Sequence, residues 1–304
     1  MTASSALEAL IAASPSLERA LPGFERAAAS DAPVLVLGEP GTGRSSLARA
    51  LHAASRRRAG PLVELDVAAV PATLFESELF GHRPGAFTGA SEGVEGKVRR
   101  AEGGTLVLDH VEDLPVATQP KLLRLLGERA YAPLGGGDRV ADVRFLALGA
   151  ADLPERASDG AFRADLFYRL EVVTYRLPPL RERRADLPSL IRFFLADLAT
   201  RLGVERPRLA ESAWQWLVEY AWPGNLRQLR NLLEREMLLH PGVRLLDPAP
   251  PRDAGERPRS IAEAEEELIR RTLAYTRGRQ QEAADLLGIS RKTLWEKRKR
   301  YGIP

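Results

Sequence analysis

A glycine-rich segment that directly follows an apolar run restricts the fold of this chain more than any other feature. The run Val34–Leu37 has the composition of a strand buried on both faces, and residues 38–45 then lead into a helical pattern over residues 45–54. Glycines allow the backbone N–H groups of such a turn to converge on a phosphate, and the helix that follows presents the positive end of its dipole. The order strand, turn and helix predicts a phosphate-binding loop in an α/β fold, although this segment taken alone is also compatible with an ordinary glycine turn.

Short apolar runs alternate with helical patterns as far as residue 180. Besides the first run, the predicted strands are Leu62–Leu65, Thr105–Leu108, Arg144–Leu148 and Val172–Tyr175. This alternation predicts an α/β sandwich around a mostly parallel sheet with flanking helices. From Arg181 onward the strand patterns stop, and amphipathic patterns over residues 186–202, 210–220 and 225–240 predict a small helical domain.

The composition of the 304 residues narrows the class of protein. The chain has no cysteine, which excludes disulfides and thiolate catalysis, and its four histidines show no spacing typical of metal ligands. It contains no apolar run near the roughly 18–20 residues that span a bilayer, and no secretion signal at its N-terminus. We therefore expect a cytoplasmic protein that does not enter a membrane.

The C-terminal segment is rich in lysine and arginine although the net charge of the chain is only +3. Residues 281–295 have the pattern of a helix, a tight turn and a second helix, in which Gly288 permits the turn and Ser290 caps the second helix. Side chains in the first turns of such a second helix reach base edges and phosphates in a DNA major groove. The predicted DNA-binding residues are Ser290, Arg291, Lys292, Thr293, Lys297 and Arg298.

Further expectations concern the core and the pairing of this C-terminal segment. We expect Leu294 and Trp295 to belong to its core rather than to contact bases. The preceding amphipathic pattern is expected to pair two copies of the chain, which suits a two-fold DNA site. Its apolar positions are Ile261, Leu268, Ile269 and Leu273. The alternative is that the basic segment is only a solvated helix.

A small, uncharged hexapeptide, Gly85–Ala90, carries the most specific functional information in the sequence. Its two glycines predict a mobile loop that presents Phe87 and Thr88, whereas an arbitrary hexapeptide of this kind would be a surface turn. Together with the preceding segment Glu76–His82, the loop resembles the signature of the bacterial enhancer-binding proteins. Those proteins are AAA+ ATPases that remodel RNA polymerase carrying sigma-54, and the resemblance implies that this loop contacts sigma-54. The implied contact residues are Gly85, Ala86, Phe87, Thr88, Gly89 and Ala90.

The resemblance extends over roughly residues 8–304 and implies a site for ATP and Mg²⁺. The implied nucleotide-binding residues are Gly38, Glu39, Pro40, Gly41, Thr42, Gly43, Arg44, Ser45, Ser46 and Arg227. Asp109, which follows a predicted strand, matches the carboxylate that holds Mg²⁺ through water. His110 matches the residue that polarises the attacking water, and Arg163 and Arg169 match two arginines that reach the neighbouring subunit's site. These four side chains are the implied catalytic group.

Several positions in the implied nucleotide site depart from the family's pattern. Arg44 replaces the usual lysine, and His110 replaces the glutamate that polarises water. Asp66 replaces the asparagine that holds this glutamate, while Gly149 and Ala150 replace a polar pair that senses the γ-phosphate. Because these departures fall in one site, we expect ATP hydrolysis by this chain alone to be slow or absent.

The resemblance also implies a domain order and two hypotheses for the function. The predicted domains are a tail at 1–7, an AAA+ α/β subdomain at 8–180, a helical lid at 181–242, a linker at 243–258 and a Fis-type helix-turn-helix domain at 259–304. The first hypothesis is a sigma-54-dependent activator that binds upstream DNA, assembles as a dimer to hexamer, and moves its loop with nucleotide state. The second is a hydrolysis-deficient DNA-binding regulator that acts in mixed rings with an active relative, or as a competitor or repressor. Since the first strand begins by residue 34, we expect no regulatory domain ahead of the ATPase.

Overall fold

The computed structural model describes residues 14–87, 90–248, 265, 266, 268–270, 272, 273, 276, 279–301 and 303. The chain divides into two compact units, residues 1–250 and residues 251–304, and each is described by itself. The predicted tail at 1–7 and residues 249–258 of the predicted linker lie outside the described residues.

A five-stranded parallel sheet forms the centre of the first unit. The strands of this unit are β1 (Val34–Gly38), β2 (Leu62–Asp66), β3 (Gly81–His82), β4 (Val94–Glu95), β5 (Thr105–Asp109), β6 (Ala130–Tyr131), β7 (Arg139–Val140), β8 (Arg144–Gly149), β9 (Val173–Leu177), β10 (Arg208–Leu209) and β11 (Leu245–Leu246). The central sheet has the order β2-β5-β8-β1-β9, and its members match the five predicted strands within two residues at each end. The predicted α/β fold class is confirmed.

Helices cover both faces of this sheet. The α-helices are Pro15–Ala20, Phe24–Ala29, Arg44–Ala53, Ala72–Phe80, Lys97–Arg100, Gln119–Glu128, Leu153–Ser158, Ala164–Leu170, Leu187–Leu202, Glu211–Glu219 and Asn225–Leu239. Short 3₁₀ turns lie at Val111–Asp113, Leu180–Glu182 and Arg184–Asp186. Because side chains alternate along a strand, Val34 and Val36 of β1 belong to one apolar core, while Leu35 and Leu37 belong to a second core on the opposite face.

The helical lid consists of the three helices between Leu187 and Leu239 and a short parallel pair of strands. The residues of the lid pack in the same apolar core as Val34 and Val36, so the lid is continuous with one face of the sheet. Leu245 and Leu246 pair with β10, and Leu246 is buried. The predicted lid boundary at residue 242 is therefore too early, because these two leucines belong to the lid and not to the linker.

Arg144, at the start of β8, is a buried cation that joins the sheet to the N-terminal helices. Only 1% of this residue is exposed. Its terminal nitrogens donate to the carbonyl oxygens of Ala27 and Ala28 at 2.7 and 2.9 Å, and burial lowers the pKa of the guanidinium. Arg144 thus adds side-chain donors to two carbonyls at the C-terminal end of the helix Phe24–Ala29, one of which, that of Ala27, also accepts from Ser30.

We expect Arg144→Ala to lower the free energy of unfolding by about 3 kcal/mol, because two carbonyls each lose a buried guanidinium donor and a cavity opens. Urea unfolding followed by circular dichroism measures this change. Arg139→Ala is the matched control, since Arg139 is exposed in β7 and its loss should change stability by less than about 0.5 kcal/mol. Equal effects of the two substitutions would contradict the structural role of Arg144.

The second unit contains the helices Gln280–Leu286 and Arg291–Arg300. Gly288, in the turn between them, has φ of 66°, and the Ser290 hydroxyl accepts a hydrogen bond from the N–H of Thr293 at 3.1 Å. The predicted helix-turn-helix, its turn glycine and its cap are confirmed. The core of this unit contains Ile269, Leu273, Ala283, Ala284 and Leu294.

This core corrects the expected position of Trp295 and removes two of the residues expected to pair two copies of the chain, while the pairing itself stays a prediction. Ile269 and Leu273 are buried against the helix-turn-helix, so they are not free to pair two copies of the chain; Leu268 is exposed, and Ile261 lies outside the described residues. Leu294 is buried as predicted, but Trp295 is 57% exposed and the prediction of a core position was wrong. Successive helix residues point about 100° apart, so only one of this adjacent pair faces the core.

Among the residues that the structure describes, no helix combines the length and the apolar character required to cross a membrane.

Candidate functional site

A cavity of about 520 Å³ lies at the carboxyl ends of β1 and β5, where ligands of open parallel sheets usually bind. The glycine-rich loop that follows β1 forms one wall, and the lid helix Asn225–Leu239 forms another. The lining residues are Pro40, Gly41, Gly43, Arg44, Ser45, Ser46, Arg49, Asp109, His110, Phe194, Leu226, Arg227, Arg230, Asn231 and Glu234.

Most of the predicted nucleotide-binding residues line this one cavity, and three do not. Gly38 is the buried last residue of β1. The Thr42 hydroxyl is turned inward and donates to the carbonyl of Glu39 at 2.8 Å. The carboxylate of Glu39 accepts two bonds from Arg181, at 2.6 and 2.7 Å, and this contact lowers its pKa. These three residues shape the loop rather than line its cavity.

Arg44 is drawn inward toward the carboxylate at the end of β5. It is buried, its guanidinium donates to the Gly38 carbonyl at 3.0 Å, and a second nitrogen lies 3.4 Å from Asp109 Oδ1. The Ser45 hydroxyl donates to Asp109 Oδ2 at 3.3 Å. The backbone N–H of His110 donates to Asp109 Oδ1 at 2.9 Å. Both oxygens of Asp109 therefore have donors from the protein itself.

His110 and Asp66 lie at the carboxyl ends of neighbouring strands and form a direct pair. The Nδ1 atom of His110 is 2.8 Å from Asp66 Oδ1. His110 directly follows β5, and Asp66 is the last residue of β2, which pairs with β5. His110 has φ of 55°, which is unusual for a residue other than glycine and is common at functional sites. A carboxylate on Nδ1 favours the tautomer with the proton on that atom, which leaves Nε2 as an acceptor.

The end of β8 contributes no polar side chain. Gly149 is the last residue of β8, and the backbone N–H of Ala150 donates to the Glu112 carboxylate at 3.0 Å. This backbone N–H is therefore already engaged within the protein. Glycine and alanine also have no polar side chain, so neither residue offers a side-chain donor to a phosphate.

Hydrogen bonds from the backbone and a side chain of the lid join it to the glycine-rich loop. The N–H of Leu226 donates to the Gly41 carbonyl at 3.0 Å, and the Asn225 amide donates to the Pro40 carbonyl at 3.1 Å. The buried Arg183 also donates to the Thr42 carbonyl of the loop, at 3.1 Å, and burial lowers the pKa of the Arg183 guanidinium to about 10. These hydrogen bonds join the glycine-rich loop to the lid and to the segment that precedes it.

Sequence reasoning identified only Arg227 on the lid wall of the cavity. Arg230, Asn231 and Glu234 follow it at spacings of three, four and seven, which places all four residues on one helix face. That spacing was the available signal, and it could have extended the prediction to the other three.

The two predicted arginine fingers lie outside this cavity. Arg163 is exposed and paired with Asp165 at 2.7 Å, and Arg169 donates to the carbonyl of Leu126 at 3.2 Å. Both residues flank or belong to the helix Ala164–Leu170. Their surface position is compatible with a role toward a neighbouring subunit, and this role stays a prediction.

The predicted sigma-54 loop begins from a narrow two-stranded base, β3 paired with β4. The Phe87 ring is half-exposed and meets the His82 ring edge-on, with the ring centres 5.0 Å apart. The N–H of Gly85 donates to the Ala90 carbonyl at 2.7 Å and closes the loop. Thr88 and Gly89 lie outside the described residues.

The predicted DNA-binding residues divide between two sides of the helix Arg291–Arg300. Arg291 and Lys292 are exposed. Lys297 pairs with Glu265 at 2.6 Å, and Arg298 is partly buried. Ser290 and Thr293 bond to each other in the helix cap. Of the cations predicted to bind DNA, the two exposed ones, Arg291 and Lys292, therefore lie at the start of the helix.

Comparisons with known proteins agree with this arrangement. The chain matches the family profile of the Sigma-54 interaction domain over residues 10–176, the AAA+ ATPase lid domain over residues 181–253, and the bacterial regulatory protein, Fis family, over residues 260–301. It is 43% identical over 296 residues to the C4-dicarboxylate transport transcriptional regulatory protein DctD of Rhizobium meliloti, which covers 97% of this chain and 64% of that protein. It is 40% identical over 318 residues to the transcriptional regulatory protein FlbD of Caulobacter vibrioides, which covers 96% of this chain and 70% of that protein.

Solved structures of a similar protein share the fold. The crystal structure of NtrX from Brucella abortus in complex with ADP has a TM-score of 0.71 at 31% identity, covering 95% of this chain and 69% of that chain. Its complex with ATP has a TM-score of 0.69 at 32% identity, covering 94% and 68%. The chain spans 64% of the length of DctD. By these matches it belongs to the sigma-54-dependent transcriptional regulators, in which a sigma-54 interaction domain and an AAA+ lid precede a Fis-type domain.

Proposed function

We propose that this chain is a sigma-54-interacting regulator that binds ATP between its glycine-rich loop and its lid, and binds upstream DNA through its C-terminal helices. It contacts sigma-54 RNA polymerase through residues 85–90. The observation that carries the proposal is the single cavity lined by the glycine-rich loop, the end of β5 and Arg227 of the lid. The ADP and ATP complexes of the similar NtrX support a nucleotide as the ligand. Since its proposed partners are DNA and RNA polymerase, we also propose a cytoplasmic location.

The cavity has the chemistry required to hold a nucleotide triphosphate. The start of the helix Arg44–Ala53 offers backbone N–H groups and a positive dipole end, and Arg227 and Arg230 offer charge from the lid. Ser45 and Asp109 provide the hard oxygen donors that Mg²⁺ prefers, 3.3 Å apart, so these residues fit the ion. When bound, Mg²⁺ would supply positive charge beside the phosphate oxygens. Arg44 must exchange its contact with Asp109 for a contact with phosphate.

We further propose that this chain alone hydrolyses ATP slowly or not at all. A water that attacks phosphorus needs a base to accept its proton, and His110 with Asp66 takes the place of the family's glutamate with asparagine. The end of β8 provides no side-chain donor for the transferred phosphate, because its residues are Gly149 and Ala150, and the backbone N–H of Ala150 is engaged with Glu112. The guanidinium of Arg44 is engaged with Asp109 and the Gly38 carbonyl and is therefore not free to contact a phosphate.

A second candidate function is a subunit of mixed rings, supported by the surface position of Arg163 and Arg169. In a ring, whether of identical subunits or with an active relative, these cations would stabilise the phosphate in the neighbour's site. This contribution is independent of the substitutions in the chain's own cavity. A hydrolysis-deficient regulator could also compete for DNA sites as a repressor.

Repair of the cavity tests these proposals. We expect the triple substitution R44K/D66N/H110E to raise ATP turnover about 10²-fold above the unmodified protein, the lower end of what a positioned base contributes. Asp66 must be changed together with His110, because a glutamate at 110 would otherwise face the Asp66 carboxylate at the present 2.8 Å contact, where two carboxylates cannot both stay ionised. Purified full-length protein and a coupled phosphate-release assay measure the turnover.

D66N alone is the matched control, and it should leave turnover unchanged because His110 is retained. Fluorescent ATP analogue binding, measured in parallel, separates loss of binding from loss of chemistry. Robust ATP turnover by the unmodified protein, equal to that of an active repaired protein, would contradict the hydrolysis proposal. Failure of every variant to bind nucleotide would contradict the ATP site itself.

A further inference from the structure

The exposed indole of Trp295 is the feature of the second unit that the helix-turn-helix interpretation leaves unexplained. Trp295 is exposed, although large aromatic side chains are normally buried, and it lies in the middle of the second helix rather than at its end. Together with Gln280, Arg291 and Lys292, it lines a cleft of about 340 Å³. The Lys299 ammonium lies over the indole ring, with Nζ 5.6 Å from the ring centre.

The residues of this helix separate into two faces by their spacing. The inner face holds Leu294, Lys297 and Tyr301: Leu294 is in the core, and the Lys297 ammonium and the Tyr301 hydroxyl both bond to Glu265, at 2.6 and 2.7 Å. The outer face holds Lys292, Trp295 and Lys299, which recur at the spacings of three and seven that align residues on one side of a helix. Lys297 therefore belongs to the support of the helix and not to its outer surface.

We propose that Trp295 is a base-reading residue, and that the outer face Lys292, Trp295 and Lys299, together with the exposed Arg291, is the surface that enters the DNA major groove. This inference rests on the proposed DNA binding and states which side chains carry it. The cations near the indole complement phosphates, which position a helix in the groove without reading sequence. An indole offers a flat apolar surface, and the apolar group that a major groove presents is the 5-methyl of thymine. The ligand that fits the apolar face of the Trp295 indole and the cations near it is therefore duplex DNA with a thymine at the contacted base pair.

The experiment compares sequence-specific and non-specific binding by the full-length protein. A duplex is first selected from a random pool with the unmodified protein, and its affinity and that of a random duplex are measured by fluorescence anisotropy at several salt concentrations. We expect Trp295→Ala to weaken binding of the selected duplex about tenfold, while the affinity for the random duplex and the salt dependence stay unchanged. Thymines in the selected duplex are then replaced by deoxyuridine, one at a time. At one position or more this replacement should lower the affinity of the unmodified protein for the duplex, and at the same position it should leave the affinity of Trp295→Ala unchanged.

Two further variants separate base reading from charge. Lys299→Ala should weaken both duplexes alike and reduce the slope of log affinity against log salt by about one, as for a phosphate contact. Lys297→Ala should leave that slope unchanged, because its ammonium is bonded to Glu265. Because Trp295 is exposed, Trp295→Ala should retain its thermal unfolding midpoint, which checks folding.

Equal weakening of both duplexes by Trp295→Ala, or an unchanged preference for the selected duplex, would overturn the inference. If deoxyuridine lowers the affinity of Trp295→Ala for the duplex as much as it lowers that of the unmodified protein, the inference would also be overturned. If the unmodified protein selects no duplex at all, the proposed DNA binding fails before the role of Trp295 is reached.

Discussion

Substitution of Gly41 by alanine is expected to reduce nucleotide affinity about tenfold to a hundredfold and to detach the lid from the glycine-rich loop. Gly41 has φ of 81°, in the left-handed region that favours glycine. A Cβ atom at this position would lie 2.4 Å from the Gly224 carbonyl oxygen and 3.2 Å from Arg227 Cβ. Since a backbone atom cannot yield as a flexible side chain does, the loop or the lid turn must move. Loss of one charge-assisted phosphate contact, worth about 1.5–3 kcal/mol, gives the expected affinity change.

Titration with a fluorescent ATP analogue measures the affinity of Gly41→Ala, and urea unfolding measures its stability. Gly160→Ala is the matched control, because Gly160 has a similar φ of 76° and has no other atom within 4 Å of its Cβ position. Both variants incur the left-handed strain of about 1–2 kcal/mol, but only Gly41→Ala adds the clash. Nucleotide binding that survives in Gly41→Ala would show that the contact between loop and lid is not required.

Replacement of Thr88 by alanine should abolish transcription activation and leave DNA binding intact. The resemblance implies that this hydroxyl belongs to the sigma-54 contact, while the helix-turn-helix lies in the other unit. Transcription from a sigma-54 promoter with purified components measures activation, and anisotropy with labelled duplex measures DNA binding. The assay uses whichever protein supports transcription, the unmodified chain or the repaired R44K/D66N/H110E variant.

Ser91→Ala is the control for this substitution, because Ser91 is an exposed hydroxyl just beyond the loop. It should retain activation, and both variants should bind nucleotide equally well. If activation persists after Thr88→Ala, the loop no longer serves sigma-54 contact in this chain. Loss of DNA binding in the same variant would instead indicate a general defect in folding.

The central sheet could be predicted because its signal is local. Runs such as Val34–Leu37 are apolar at every position, and only a strand covered on both faces satisfies that pattern. The boundary of the lid could not be predicted, because Leu245 and Leu246 are a short apolar pair beside prolines. Their place in the fold depends on pairing with Arg208 and Leu209, which lie far away in the sequence.

The candidate site shows the same division between local and distant signals. The glycine-rich loop and Asp109 follow strands directly, so their place at the sheet edge could be inferred. The inward turn of Arg44, by contrast, depends on its contacts with Asp109 and with the Gly38 carbonyl, which the residue type does not specify. The exposure of Trp295 likewise depends on which helix face the rest of the second unit covers.

The contact between Asp66 and His110 also bears on the history of this site. If an asparagine and a glutamate once stood here, aspartate arriving first would have set two carboxylates against each other, and one would have had to take up a proton or turn away. Histidine arriving first would have kept a hydrogen-bond partner in the asparagine amide. If histidine at 110 arose before aspartate at 66, no intermediate sequence would have placed two carboxylates in contact. Sequences that branch between an active ancestor and this chain should combine asparagine at 66 with histidine at 110.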